Sequence, residues 1–417
     1  MSSILMGCQI LTSLATPNNP HIIAQSTEQR RQVESVESTE LAIISTSEKA
    51  FAIDLFRALP SQDNLIYSPY SIYYGLGMIY AGAQGKTETQ MAEVLHFTIP
   101  AERVHKALNG LNFRLLTLNS DSEHQNSREQ RFRLSINNSL WGQQGYSLQD
   151  AYLDTIAHHY SGVLHLVDFA GQSEHARQII NTWVSEQTIN RIPEIIPSNT
   201  IDSTTKLIVL NTVDFSADWQ FRFRANEDDS FFLQDGDEIA VPFMSIVARL
   251  PYTSILGFQI VELPYRDSEA SMVLWLPNKE HSVELGSSLS TEQIEEGFQD
   301  LEPTHMKLTM PKFAYNSELE LVETLSILGM NQAFSEQANF NGISRENSLR
   351  LDDILHKATI VVDEIGTKAT AATGAVMSPT SAVSSDFHLT INRPFLFMIR
   401  DRMSGVILFI GRVVDPR

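Results

Sequence analysis

Cysteine is almost absent. Of 417 residues only Cys8 carries a thiol, so the chain holds no internal disulfide and no cysteine-built zinc or iron–sulfur centre. Basic residues are scarce: Lys and Arg number 30 against 50 Asp and Glu, a net charge of −20. Such a surface is a poor match for nucleic acid, heparin-like polyanions or anionic membranes. Long hydrophobic runs are missing too, since no stretch approaches the ~20 apolar residues that span a bilayer, which argues against a membrane-embedded protein. What is present suits a packed interior, with 42% of residues apolar and 19% charged. At ~150 residues per domain the length allows two or three domains, or one large one.

The N-terminal part differs from the rest. Residues 4–15 (ILMGCQILTSLA) are apolar and uncharged, like the core of an export signal, but lack the basic residues that normally precede one. Leu5-Met6-Gly7-Cys8 resembles a lipobox, in which the cysteine is lipidated after cleavage. Too little apolar sequence precedes Cys8 for a normal signal, so the choice is between a start lying upstream of Met1 and a frayed terminus with a chance cysteine. Residues 16–45, rich in Gln, Ser and Glu, read as a disordered tether.

From Thr46 the chain reads as one globular domain, 46–417, without an internal linker. Helical periodicity marks 47–59, 71–83, 87–95, 101–119, 148–161, 173–190, 290–301 and 317–329. Thr87 with Gln90, and Ser290 with Gln293, have capping-box spacing. Strand patterns occupy 206–215, 239–250, 257–265, 270–277, 306–313, 356–363, 387–399 and 405–414. Helices first and strands later, without regular alternation, indicate an α+β fold. Residues 366–385 (GTKATAATGAVMSPTSAVSS) fit neither pattern: almost all are small, so the stretch is expected to be exposed and mobile between two strong strands, as a functional loop or a tolerated surface insert.

Several motifs lead nowhere. Gly85-Lys86-Thr87 ends like a phosphate-binding loop, but Tyr80 stands where the first glycine belongs and a helix precedes it. His158 and His159 are adjacent on a helix and diverge, with His165 further on, so they do not form a metal site. Asn137-Asn138-Ser139 is a formal sequon inside the alternating segment 134–141 and reads as strand. Glu295-Glu296 lies on a polar helix face. No Gly-x-Ser-x-Gly elbow is present, and Cys8 as a nucleophile would sit in a tail. No catalytic constellation emerges, and nothing points to an enzyme.

The residues around the odd loop are more informative. Residues 389–399 (LTINRPFLFMI) look like the C-terminal signature of the serpins, and 405–416 (GVILFIGRVVDP) resembles the strands that end that fold. Residues 64–72 (NLIYSPYSI), Asn211, Phe215, Trp219 and Phe223, Leu263-Pro264-Tyr265, Ser271-Met272, Lys312-Phe313, Leu328-Gly329-Met330 and His356-Lys357-Ala358 match in order. The resemblance implies helices packed on a large mixed main sheet with two smaller sheets and an exposed reactive-centre loop. It further implies a suicide-substrate inhibitor: the target protease cleaves the loop, is held as an acyl-enzyme in a covalent 1:1 complex, and the cut loop enters the main sheet.

On that resemblance the hinge comprises Glu364, Gly366, Thr367, Ala369, Ala371 and Thr373, with Ala375 continuing the small inward series. Lys368, where inhibitory members usually carry Glu, falls on the other face, and Ile365 replaces a more usual charged residue. The scissile bond, fourteen residues after Gly366, is implied at Thr380-Ser381, with Met377-Ser378 as runner-up. A small residue there suits elastase-like or subtilisin-like targets rather than trypsin-like ones. The shutter is implied at Ser68, Ser71, Asn211 and His356, joined in a His–Asn–Ser network, and the breach at Trp219 with Glu364. Asn190-Arg191 stand where the family usually has Gly-Lys. The resemblance implies no metal, cofactor or polyanion activator, a monomer, and an extracellular or cell-envelope location, lipid-anchored if Cys8 is modified; a cytoplasmic location stays compatible. The rival reading is a non-inhibitory member acting as a chaperone-like or binding protein, against which the small inward hinge residues count.

Overall fold

A computed structural model describes residues 21–26, 36–120, 132–160, 162–278, 289–346, 349–368 and 387–417. Among the described residues, seven helices of two turns or more are α1 (Ser38–Ala58), α2 (Pro69–Tyr80), α3 (Gly85–Val94), α4 (Ala101–Ser120), α5 (Asp150–Tyr160), α6 (Phe169–Gln187) and α7 (Thr291–Gln299). Ser68 starts α2: its Oγ accepts the Ser71 N–H at 3.2 Å and Pro69 supplies the first helical φ. Every residue of α2 is buried, as its apolar sequence on all sides requires. Ser290 and Gln293 close the expected capping box at α7. Thr87 does not cap. The helix begins two residues earlier, and Thr87 Oγ1 instead accepts the Asn339 N–H at 2.9 Å.

The main sheet runs β1 (Ile22–Ala24), β4 (Leu164–Val167), β3 (Phe132–Gln143), β5 (Leu207–Asp218), β13 (Gly366–Lys368), β12 (Asp353–Val362), β11 (Phe313–Glu320). The remaining strands are β2 (Leu65–Tyr67), β6 (Arg224–Phe232), β7 (Glu238–Ile255), β8 (Phe258–Pro264), β9 (Ala270–Pro277), β10 (Glu302–Pro311), β14 (His388–Thr390), β15 (Phe395–Asp401) and β16 (Ile407–Val413). They follow one hydrogen-bonded path, β14-β10-β7-β8-β9-β15-β16-β2, with β6 on β7. The two smaller sheets are its two halves, joined because β7 pairs with β6 and β10 from Glu238 to Tyr252 and with β8 from Tyr252 to Ile255.

One core fills the space between the two sheets and α2. A second, built on Trp141, Ile180, Val184, Ile196, Ile208 and Leu355, lies under α6 on the outer face of the main sheet.

Three expectations need correction. The stretch 16–45 is not all tether: Ile22–Ala24 pairs antiparallel with β4, and α1 begins at Ser38. Residues 317–329 are not one helix. Phe313–Glu320 is a strand paired along its length with β12, and helix begins only at Val322. The stretch 387–399 breaks into β14 and β15 around Asn392-Arg393-Pro394, because proline cannot donate to a ladder.

Candidate functional site

β12 ends at Val362, and a tight turn carries the chain back as β13. Asp363 makes that turn: its Oδ1 accepts the N–H groups of Ile365 (2.8 Å) and Gly366 (3.0 Å), and its own N–H donates to Gly366 O at 3.0 Å. Glycine is required at 366 because a Cβ there would lie 2.0 Å from the Ala217 carbonyl oxygen. The turn is pinned from β5 and its exit. Trp219 N–H donates to Ile365 O (2.8 Å), Phe223 N–H to Glu364 O (3.0 Å), and Trp219 Nε1 to Asp363 O (2.9 Å). Lys312 Nζ pairs with Glu364 Oε1 at 3.1 Å. Thr367 is buried, and its Oγ1 lies 2.8 Å from the hydroxyl of Tyr265, whose ring stacks on Trp219 at 4.8 Å. Lys368 faces the other way, 3.9 Å from Asp363 Oδ2.

β13 is wedged between two strands that run parallel to each other below it. β5 and β12 pair from Ile208 opposite Asp353 to Val213 opposite Ala358. Beyond that point β13 takes over, antiparallel to both, with Thr367 opposite Ala217 on one side and Val362 on the other. The main sheet therefore has a parallel seam whose upper end is already parted by three residues.

The shutter residues lie at the middle of this seam. Ser68 N–H donates to His356 Nε2 at 3.1 Å, so the ring is neutral with its proton on Nδ1, and burial holds its pKa down at about 3. Asn211, the register partner of His356, turns elsewhere: its Nδ2 donates to Asn138 Oδ1 (2.7 Å) and to Ser71 O (3.3 Å). Ser71 Oγ also donates to Asn138 Oδ1, at 2.8 Å. His356 and Asn211 do not bond to each other; they are joined through Ser68, whose Oγ accepts the Ser71 N–H at 3.2 Å, and through Ser71 and Asn138. His356 Nδ1 and Asn211 Oδ1 are left buried without a partner.

Asn138 is a member that sequence reading missed. Its signal was available, since it shares the alternating face of Leu134, Ile136 and Leu140, where a polar side chain has to find partners. Tyr265 and Asp363 were missed as well. Ala369, Ala371, Thr373, Ala375, Met377, Ser378, Thr380, Ser381 and Cys8 lie outside the described residues.

The chain resumes at a different place. β14 pairs parallel with β10, Ile391 N–H donates to Thr309 O at 2.8 Å, and Arg393 clamps Pro277 O from Nε and a terminal nitrogen at 2.9 and 2.7 Å. Residues 369–386 thus connect an anchor in the main sheet to an anchor in the second sheet.

The sequence model of the family described as serpin (serine protease inhibitor) matches residues 46–416. The chain is a serpin. An uncharacterized serpin-like protein of Methanosarcina acetivorans is 32% identical over 91% of this chain and 88% of its own length. The leukocyte elastase inhibitor of Xenopus laevis is 33% identical over 88% and 97%. The crystal structure of the thermophilic serpin tengpin in the native state superposes with a TM-score of 0.80, at 27% identity over 94% of this chain and 97% of that one. Uncleaved ovalbumin, 24% identical, shares the fold with a TM-score of 0.77. Membership supports protease inhibition in general and gives the two anchors, on either side of residues 369–386, their context.

Proposed function

We propose that this serpin is a suicide-substrate inhibitor of elastase-like or subtilisin-like serine proteases, cleaved at Thr380-Ser381, with Met377-Ser378 as the second candidate bond. The protease acylated at Thr380 would be carried along as the cut loop enters the main sheet between β5 and β12, so the complex is covalent and 1:1. The observation that carries this reading is the wedge: Gly366–Lys368 already occupies the first positions of a strand between β5 and β12. Continuing the same antiparallel register sets Ala371 opposite Val213 and Ala358, and Thr373 opposite Asn211 and His356. There the Thr373 hydroxyl, which both donates and accepts, meets the two unpartnered polar atoms. Small side chains at 369, 371, 373 and 375 fit an inward face already packed by α2. Thr380 favours a shallow specificity pocket, and the leukocyte elastase inhibitors among the relatives support the same target class. We place the protein outside the cell or in the cell envelope, a cytoplasmic location staying compatible, and as a monomer.

The test mixes the protein with pancreatic elastase, subtilisin and trypsin. A boil-resistant band at the summed mass, with Ser381 as the new N-terminus, is expected for one of the first two. Clean loop cleavage without that band, and without a large rise in thermal stability of the cut form, would leave the non-inhibitory reading instead.

A further inference from the structure

In a chain with 50 acidic and 30 basic residues, one sheet face is basic. Along 245–250 of β7 and 305–310 of β10 the side chains alternate: Ile246, Leu250, Met306 and Leu308 are buried in the core, and those between them face outward. The outward face sets Arg249 opposite His305, Val247 opposite Lys307, and Lys307 in turn opposite His388 of β14. Arg224 of β6 lies opposite Ser245. These rows contain no carboxylate; acidic residues return at Glu227, Asp228 and Asp229, in and beyond the β6 bulge. Among the described residues Arg224, Arg249 and Lys307 have no ion-pair partner, and Arg249 Nε donates to Pro303 O at 3.4 Å. Cationic and histidine side chains opposite one another add nothing to sheet pairing, and oppose it where both are charged.

The chain rejoins the sheet at this basic end. Phe387, just before β14, accepts the Lys307 N–H at 2.9 Å and packs on Tyr252 of β7, with 4.9 Å between ring centres. Seven residues separate Ser381 from His388, so at ~3.3–3.6 Å per residue the Thr380-Ser381 bond lies within about 25 Å of the face along any path. A protease seated on that bond brings the surface beside its cleft over the face. We propose that the face is a docking surface for the target protease, and that Arg249 and Lys307 select enzymes carrying carboxylates beside the cleft. This rests on the loop-cleavage reading above and narrows its target class. The net charge of −20 repels such an enzyme elsewhere, so attraction confined to this end also orients its approach. Three cations bordered by Glu227, Asp228 and Asp229 suit a few carboxylates better than a polyanion, whose length would run into that acidic border.

The test measures the second-order rate of loop cleavage in the full chain, which reads docking whether or not a trapped complex follows. The probes are pancreatic elastase and subtilisin, each native and with its surface lysines succinylated, which turns ammonium groups into carboxylates. Arg249→Glu combined with Lys307→Glu should slow the succinylated enzymes roughly tenfold and leave the native ones unslowed. With succinylated enzyme the wild-type rate should fall between about 0.05 M and about 0.5 M salt, and the variant should lose that fall. Arg249→Lys with Lys307→Arg, which keeps both charges, should keep the wild-type rate and slope. Equal effects on native and succinylated enzyme, with Ser381 as the new N-terminus, overturn the docking surface. If the charge-reversed variant fails to fold, Arg249→Gln and the wild-type salt slope decide: a slope of zero overturns it too. Heparin bound by the wild type and not by the variant, with cleavage rates unchanged, would assign the face to a polyanion and overturn the proposal. Cleavage by both enzymes outside residues 369–386 would reject the loop reading, and the proposal with it.

Discussion

A carboxyl group fully buried without a counter-ion opposes folding at neutral pH, and Glu48 in α1 is one. Its Oε2 accepts the Ile407 N–H at 3.1 Å, while Oε1 has no partner. Burial pushes its pKa from 4.5 up to about 8; the Ile407 bond and nearby Lys49 oppose the shift only in part. The sign follows from linkage. Between pH 4.5 and about 8 the unfolded chain releases this proton and the folded chain keeps it, so stability falls as pH rises, by about 1.4 kcal/mol per unit. Glu48→Gln should be more stable than the wild type near pH 8, by several kcal/mol at most, and little different near pH 4.5. Thermal midpoints across that range check it; parallel curves for the two proteins would exclude Glu48 as the source. Asn190 shows the opposite case, a departure that costs little. It sits at φ +58°, which asparagine tolerates, so it can replace a glycine, and its position lets Arg191 reach Asp214.

At the scale of elements the hinge is the most exacting part, because three described residues, Gly366–Lys368, are wedged between β5 and β12. The Tyr265–Thr367 hydroxyl contact fixes which face of β13 turns inward. Thr367→Val keeps the shape and leaves the Tyr265 hydroxyl buried and unpaired, which should cost about 1–3 kcal/mol. Tyr265→Phe in the same protein should recover part of that. A double-mutant cycle on thermal or denaturant unfolding, together with faster amide exchange at 366–368, measures the contact; zero coupling would mean the hydroxyls do not hold the hinge. Sequence reading reached most of this region because strands such as Leu207–Leu210 and Asp353–Val362 carry continuous or alternating apolar patterns. It failed where the decisive partner is remote. In Phe313–Glu320 the apolar spacing toward Leu321 and Leu325 imitates a helix, and only pairing with β12 overrides it. Ile22–Ala24 is too short to signal, and it exists because β4 offers an open edge. Asn138 and Asp214 read as ordinary strand residues because their roles depend on contacts from other elements.

Over the whole molecule, the buried titratable groups divide into two sets that act in opposite directions. His105, His165 and His356 are each held down at about 3, in every case chiefly by burial. Each favours the folded state fully above its ordinary value of 6.5, and that contribution is lost as pH falls from there toward 3. The His165 case involves the edge of the main sheet. His165 Nδ1 lies 2.9 Å from His21 Nε2, the two sharing a single proton, and His21 packs on Trp141 next to β1. With His21 as the donor, an added proton would either set two N–H groups face to face or occupy His21 Nδ1, which is buried without an acceptor; with His165 as the donor it would charge a ring that burial keeps neutral, so acid should loosen β1 from β4. Against the three histidines stand Glu48 and, up to about 6, Asp353, whose pKa burial raises. Below pH 6.5 three groups outweigh two; above it Glu48 acts alone. The thermal midpoint should therefore climb from about pH 4.5 to a maximum near 6.5 and decline toward about pH 8, with the acid limb shallower in His21→Ala. A midpoint that is flat across this range would mean that these groups do not stay buried in the native state, and with them the tight packing of the seam and its β1 edge would be in question.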